Sequence, residues 1–248
     1  MSFGEWLRYI LLLIFFPRST KTMELRMLRL LNRDRRKHGL KPLRMQEDLR
    51  RVARKHSLDM AQKDYFDHVN LQAQSPSDRL KIARVTDTTS GENLAKIGGF
   101  AHPTQFAEEG LMNSPGHRAN ILNDSYNVVG IGVIQDSRKI YYFTQNFAKR
   151  ALVFKRKIAQ KIPIGKTLRI SGEAFFAVKA VAYQVKFVKA EKALSEKVYK
   201  IQNKKFDFKV SFPELGNYEV LIFIDQKGDG NFTLSNTFEL QVKKKWLS

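Results

Sequence analysis

The sequence contains no cysteine, which excludes disulfide bonds, thiol chemistry and metal sites built on cysteine. It also lacks a long hydrophobic run: the longest, Tyr9–Phe16, has eight residues, whereas a transmembrane helix needs about 20. Acidic residues are few, since 24 Asp and Glu stand against 44 Lys and Arg, for a formal net charge of +20. The 248 residues are nevertheless 43% hydrophobic, which is the composition of a folded protein of one or two domains.

The positive charge is spread along the whole chain. Residues 1–150 and 151–248 each carry a net charge of +10, so no single basic tail is marked out. No aromatic stacking platform or recognition helix accompanies the charge, and we therefore predict no specific nucleic-acid partner. A diffuse positive field favours anionic partners, and we expect anionic polymers or lipids of the cell envelope.

The apolar run Tyr9–Phe16 allows three interpretations: a degenerate signal or anchor, a segment on a membrane surface, or a buried element. Arg8 precedes the run, but Glu5 and the lack of a small-residue cleavage site do not favour a cleaved signal peptide. If the run were an anchor, the basic residues that follow would face the cytoplasm, which conflicts with an exported domain. We assign residues 1–21 to this N-terminal segment.

Residues 22–150 combine helical periodicity with one strand hairpin. Gly39 and Pro42 mark the end of the first helix, and Ser114-Pro115 has the pattern of an N-cap followed by a first-turn proline. The pattern predicts helices over Thr22–Lys37, Gln46–Asp64, Pro103–Met112 and Ser114–Leu122, a short helical turn at Pro76–Ile82, and strands Val128–Ile134 and Ile140–Phe147.

Residues 151–248 lack helical periodicity and contain several short apolar runs. Within Phe206–Phe212 the apolar side chains alternate with a period of two, as a half-buried strand requires. Gly216-Asn217 and Gly228–Asn231 supply turns. This spacing predicts a small all-β sandwich of immunoglobulin-like type. Asp225–Asn231 also looks like half a calcium loop, but Lys227 stands where a ligand belongs, and we interpret the segment as a turn.

Two histidines and a glutamate are the candidate site residues. His68 follows the aromatic pair Tyr65-Phe66, Glu92 stands in the apparent turn Gly91–Leu94, and His117 lies in the first turn of a short helix. Two imidazoles and a carboxylate can bind a divalent cation, and the same groups can perform general acid–base catalysis. The spacing alone does not fix their geometry.

The ordered motifs resemble those of bacterial CAP domains, the fold of cysteine-rich secretory, antigen 5 and pathogenesis-related (SCP-like) proteins. The similarity runs from about Leu28 to Phe147, which is roughly half of the chain. The segments that carry it are Leu31–Leu43, Ala53–His68, Gly91–Leu94, Asn113–Leu122, Gly130–Val133 and Tyr141–Phe147.

The resemblance implies an α+β protein: an α-β-α sandwich over residues 22–150, followed by the β-sandwich over 151–248. It places His68, Glu92 and His117 in one cleft, with Asn93 beside them. In eukaryotic relatives two His and two Glu can hold zinc or another cation. Here Ser114 stands at the second acidic position, and a cleft cation, zinc or calcium, would be held by the two histidines and Glu92 alone.

Two functions of the cleft remain open at this point, and a third possibility is that the β-sandwich is an adhesion or assembly module for which the CAP domain is only a scaffold. The first, which we favour, is a non-enzymatic module of the cell envelope or extracellular space that binds an apolar small molecule or a peptide. Relatives that bind sterols or lipids imply this class of ligand. The alternative is a cation-dependent hydrolase using the same cleft. The pair Ser114 and His117 is better explained by a helix cap than by a catalytic triad, because no acid is placed to orient the imidazole.

Overall fold

The computed structural model describes residues 18–189, 192–201 and 203–244. It divides into two compact units. The first unit contains the described residues up to Arg79 together with Gly91–Phe147, and the second contains Leu80–Ser90 together with the described residues from Ala148 onward. The run Tyr9–Phe16 lies outside the described residues. None of the described helices is both long and apolar enough to cross a bilayer.

The first unit contains a four-stranded sheet and, apart from the end of one short helix, the helices that the structure describes. The helices are α1 (Arg18–Lys37), α2 (Glu47–Lys63), α3 (Pro76–Ile82), α4 (Pro103–Asn113) and α5 (Pro115–Ile121). The strands are β1 (Arg44–Met45), β2 (Ser90–Ile97), β3 (Val128–Gln135) and β4 (Tyr141–Ala148), in the order β1-β3-β4-β2. Three ends of these elements belong to the second unit: the residues after Arg79 in α3, Ser90 of β2 and Ala148 of β4.

Strand β3 shows why helices cover both faces of this sheet. Its residues Val129, Ile131 and Val133 are fully buried in a core cluster with side chains of α1, α4 and α5. On the other face, a Cβ on Gly130 or Gly132 would come within 2.1 or 2.3 Å of the α2 backbone, so only glycine allows α2 to pack this closely. The predicted α-β-α sandwich is therefore confirmed.

The prediction of a turn at Gly91–Leu94 was wrong, because these residues lie within β2, beside β4. Gly91 is needed for close packing rather than for a turn: a Cβ there would meet Tyr126 Oη at 2.6 Å and Asn120 Oδ1 at 2.8 Å. Strand β1 was not predicted, since two residues carry no periodicity. The other helices and the hairpin of β3 and β4 lie where the pattern predicted them, although α1 begins four residues earlier, at Arg18.

The second unit is a sandwich of two sheets, as predicted. Its strands are β5 (Leu152–Phe154), β6 (Lys161–Pro163), β7 (Leu168–Ala174), β8 (Ala180–Phe187), β9 (Lys192–Lys200), β10 (Lys205–Val210), β11 (Gly216–Asp225) and β12 (Thr233–Lys243). The sheets have the orders β10-β7-β5 and β6-β12-β11-β8-β9. The sequence predicted no strand at β5, β6 or β9, because β5 and β6 have only three residues each and β9 is a polar strand at a sheet edge.

Tyr218 is a further mark of the immunoglobulin-like class. It is fully buried near the start of β11, and its hydroxyl donates to the carbonyl of Glu214 at 2.9 Å. The same hydroxyl accepts a hydrogen bond from the main-chain N–H of Glu214 at 3.3 Å. A tyrosine at this corner, bonded to the backbone a few residues upstream, is typical of immunoglobulin-like sandwiches.

Leu80–Ser90 lies between helices and strands of the first unit in sequence, but it packs with the sandwich. Thr88 N–H donates to Ser235 O at 3.2 Å, and Thr237 N–H donates to Thr86 O at 3.1 Å, so the segment pairs with the edge of β12. Asp87 forms an ion pair with the buried Arg150 at 2.6 Å. The second unit is thus built from two separate stretches of chain.

Candidate functional site

Glu92 is the centre of the candidate site. It lies on β2 and is only 7% exposed. Its Oε1 accepts a hydrogen bond from His68 Nδ1 at 2.9 Å, and its Oε2 accepts from Arg79 Nη2 at 2.6 Å. With its amide oriented to satisfy both neighbours, Asn146 also donates to Oε2 at 3.0 Å. Both carboxylate oxygens are therefore occupied by donors from this chain.

Arg79 and Asn146 are site residues that the sequence did not predict, and Arg79 has the larger role. It is 8% exposed, and its Nη1 donates to the carbonyls of His68 at 2.7 Å and Gln74 at 3.0 Å. The guanidinium thus fixes the loop that carries His68 and neutralises Glu92 at the same time. Its Nε has no hydrogen-bond partner among the described residues. Arg79 belongs to the short helix α3, and no local pattern distinguishes it from a solvated arginine.

The two cleft histidines are in different electrostatic environments. The hydrogen bond to Glu92 raises the pKa of His68, whose side chain is 48% exposed. Burial lowers the pKa of His117, and the positive charge of His68 lowers it further. The ring of His117 makes no hydrogen bond to any described residue. Neutral His117 therefore offers one donor and one acceptor to a ligand, while His68 is held by Glu92.

Asn93 connects the strand to the helix that carries His117. It is fully buried, and its Nδ2 donates to His117 O at 3.0 Å and to Gln145 Oε1 at 3.1 Å. Its Oδ1 accepts from Asn120 Nδ2 at 2.9 Å. Asn93 was predicted as a cleft residue, and the structure shows it as the support behind the cleft. Buried hydrogen-bond networks of this kind fix the position of a site.

Glu108 ends this network in the interior. It is 1% exposed; its Oε2 accepts from Gln145 Nε2 at 2.9 Å, and its Oε1 has no partner among the described residues. Burial raises the pKa of Glu108 to about 8. Glu108 is therefore largely protonated at neutral pH, and it is no substitute for a cleft carboxylate.

Ser114 is the N-cap residue of α5, as predicted, but its hydroxyl makes no capping hydrogen bond. Its main-chain carbonyl accepts from Arg118 N–H at 2.8 Å, which starts the helix. Among the described contacts, none joins Ser114 to His68, Glu92 or His117. The structure therefore joins His68 to Glu92 and Asn93 to the His117 carbonyl by hydrogen bonds, and shows none from the Ser114 side chain to these residues.

The implied cation can be tested against these donors. The described residues contain no group of three His, Asp or Glu side chains placed to hold a metal ion. At Glu92 the reason is plain, because Arg79 supplies the positive charge that a cation would supply. The Asp225 turn fits no better: its carboxylate accepts main-chain N–H groups of Lys227, Gly228 and Gly230 at 3.1, 2.6 and 3.0 Å. Zinc or calcium at the cleft stays a prediction for metal titration.

A surface hollow of about 430 Å³ lies elsewhere in the first unit, and it contains none of the cleft residues. Its charged groups are already paired with one another, since Arg138 contacts Asp64 at 2.6 Å and Asp136 at 2.9 Å. This hollow offers no unpaired charge to a ligand, so the cleft remains the candidate site.

Comparison with known proteins assigns most of the first unit to a protein family. The model of the cysteine-rich secretory protein (CAP) family matches residues 28–147. The Bacillus subtilis protein YkwD is 39% identical over 131 residues, 53% of this chain and 49% of that protein. The Bacillus subtilis membrane protein YlbC is 42% identical over 131 residues, 52% of this chain and 35% of that protein. Residues 28–147 therefore form a CAP domain, which this chain joins to an immunoglobulin-like β domain.

Among solved structures, an extracellular SCP-domain protein from Bacillus anthracis is similar, with 31% identity and a TM-score of 0.46. The similarity covers 53% of this chain and 41% of that one. The chain spans about half or less of the length of these relatives.

Proposed function

We propose that the CAP domain is a non-enzymatic module that binds a ligand or partner in the cell envelope or extracellular space. The observation that carries the proposal is that both oxygens of Glu92 already accept hydrogen bonds, Oε1 from His68 and Oε2 from Arg79 and Asn146. A general base needs a free lone pair directed at substrate, and a metal-activated water needs a cation with open coordination. The bonds of Glu92 to His68 and Arg79 use this carboxylate to hold the site together, which favours binding over either role.

The groups that remain open to a ligand are those of a binding site. The ring of His117 is half-buried and not hydrogen-bonded to the described residues, and the His68 ring is half exposed beside Glu92. A few directed polar groups at a rigid wall give orientation and specificity to an apolar or amphipathic ligand. We therefore propose an apolar small molecule or a peptide as the ligand.

The location is supported by charge and by one relative. A net charge of +20 favours contact with the anionic polymers and lipids of an envelope. YlbC, which shares this domain, is named as a membrane protein. Both observations fit a protein that works at or outside a membrane.

A binding and activity panel separates the two functions. The full chain and its His117→Ala variant are tested with a fluorescent fatty acid and with a displayed peptide library, and both are then tested on peptide, ester and glycan substrates with and without zinc. We expect one of the two probes to bind the wild type at least tenfold more tightly than His117→Ala, and no substrate to be turned over. His102→Ala, an exposed histidine at the start of α4, is the matched control and should bind as the wild type does.

Two results would overturn the proposal. Zinc-dependent turnover that is lost in both His68→Ala and His117→Ala would establish the hydrolase. Equal binding of both probes by wild type and His117→Ala would remove the cleft as the binding site. Calorimetric titration with zinc alone, in the same samples, decides whether a cation binds at all.

A further inference from the structure

The solvent-facing side of α1 carries only positive charge. Six exposed cations lie on it: Lys21, Arg26, Arg29, Arg33, Arg36 and Lys37. At 100° per residue they fall within an arc of about 160°, and at 1.5 Å per residue they extend over about 24 Å. We call these six residues the α1 cationic stripe.

The two acidic residues of α1 neutralise only part of the positive charge of the stripe, because both are buried. Glu24 is fully buried and is paired with Arg50 and Arg54 of α2. Asp34 is also buried and contacts Arg33 at 3.2 Å and Lys37 at 3.7 Å.

Four cations of the stripe therefore remain uncompensated. Among the described residues, no carboxylate forms an ion pair with Lys21, Arg26, Arg29 or Arg36. Concentrating like charges on one helix face is unfavourable for an isolated helix. A stripe of this kind is consistent with a role in contact with an anionic surface.

Two features favour a membrane over a soluble polyanion as that surface. Leu25 is 50% exposed within the stripe, on the half nearer to the start of the helix. The apolar run Tyr9–Phe16 ends one residue before Pro17 and two before Arg18, where α1 begins. An apolar segment next to a polybasic helix is the pattern of a protein that contacts anionic headgroups.

We propose that the α1 cationic stripe binds the surface of an anionic phospholipid membrane. The contact goes beyond the proposed ligand binding and does not involve the cleft. Each basic residue near an anionic surface contributes about 1 kcal/mol, which is roughly a fivefold change in partition. Loss of three such charges should weaken binding by about 100-fold.

Vesicle co-sedimentation of the full chain tests the proposal. Vesicles of phosphatidylcholine alone are compared with vesicles that also contain phosphatidylglycerol, and the variant carries Arg26→Gln, Arg29→Gln and Arg36→Gln. Glutamine keeps the helix propensity of α1, so circular dichroism and the melting temperature should not change. We expect the variant to bind the vesicles that contain phosphatidylglycerol about 100-fold more weakly than the wild type does. Binding of the wild type to these vesicles should weaken as salt rises from about 0.1 M to about 1 M.

The matched control carries Lys155→Gln, Lys205→Gln and Lys209→Gln, three exposed lysines of the β domain, and removes the same net charge. The affinity of this control for the anionic vesicles should fall by less than about fivefold. Wild-type affinity in the helix variant, an equal loss in the control, or equal binding to phosphatidylcholine alone would each overturn the proposal. Binding to soluble polyphosphate without binding to vesicles would overturn it as well. His117→Ala should sediment as the wild type does, which keeps this test separate from that of the cleft.

Discussion

The interiors of the two units of this chain differ in composition. Of the buried polar and charged residues that the structure describes, seventeen lie in the CAP unit and four in the β unit. The β unit instead has an apolar core in which Tyr199 stacks on Phe208 with ring centroids 5.0 Å apart. Neither unit has a disulfide bond. Within one chain, the polar interior accompanies the candidate site, and the apolar interior belongs to the other unit.

A polar interior makes stability depend on charge. Arg35, for example, is almost fully buried and donates to the carbonyls of Lys41, Ile121, Asn123 and Tyr126. Such groups fix the arrangement of loops, but each of them is costly to leave unpaired. We therefore expect single polar substitutions to affect the CAP unit strongly and the β unit weakly.

The largest effect is expected at Glu24. In Glu24→Gln the partners Arg50 and Arg54 lose their buried counter-charge, and we expect the free energy of unfolding to fall by about 3–5 kcal/mol. This loss is measured by urea unfolding, monitored by far-ultraviolet circular dichroism, which reports on the helices. Glu47→Gln is the control, since Glu47 contacts the same arginines but is 55% exposed, and it should cost less than about 1 kcal/mol. Similar losses in both variants would contradict the contrast between the units.

Glu108 should give the CAP unit a distinct pH dependence. Its pKa rises from 4.5 to about 8 on folding, so the folded state keeps a proton that the unfolded state releases, and stability falls as pH rises through this range. We expect Glu108→Gln to raise the free energy of unfolding by about 3 kcal/mol at pH 7, with little gain near pH 4.

Urea unfolding at several pH values measures the effect of Glu108. The neighbouring exposed Glu109→Gln should show no such trend. A gain for Glu108→Gln that did not change with pH would mean that repacking, and not the proton, causes it.

The smallest effect is expected in the β unit, at Tyr218. Tyr218→Phe removes the hydroxyl that bonds to the Glu214 main chain, and the β unit should lose about 1–2 kcal/mol without a pH trend. Glu214→Ala keeps the carbonyl and should change stability by less than about 0.5 kcal/mol. Thermal unfolding of both variants provides the measurement. A larger loss in Glu214→Ala than in Tyr218→Phe would show that the corner is held by the glutamate side chain.

The helices and the sandwich were predictable because periodicity is a local property. The site was predictable only in part. His68, Glu92 and His117 were predicted from ordered motifs, whereas Arg79 contacts Glu92 across 13 residues from the short helix α3. Its role depends on tertiary packing, which no local pattern encodes.

The roles of Gly91 and Glu108 also depend on tertiary packing. Gly91 has the local character of a turn, but it is required by the approach of Tyr126 and Asn120 to β2. Glu108 and Glu109 are adjacent and chemically identical, and only the phase of α4 against the core makes one buried and the other exposed. Helix phase could have separated them, since Glu108 shares its face with Ala107 and Leu111.

The pairing of Leu80–Ser90 with β12 has a consequence for dissecting the chain. A cut after Phe147 would leave Thr86 and Thr88 in the CAP fragment without Ser235 and Thr237, their partners. The complementary fragment would expose an edge of β12 that is now covered, and uncovered edges pair with other chains. A separable β domain therefore needs the 80–90 segment fused to it, and a separable CAP domain needs a short linker in its place.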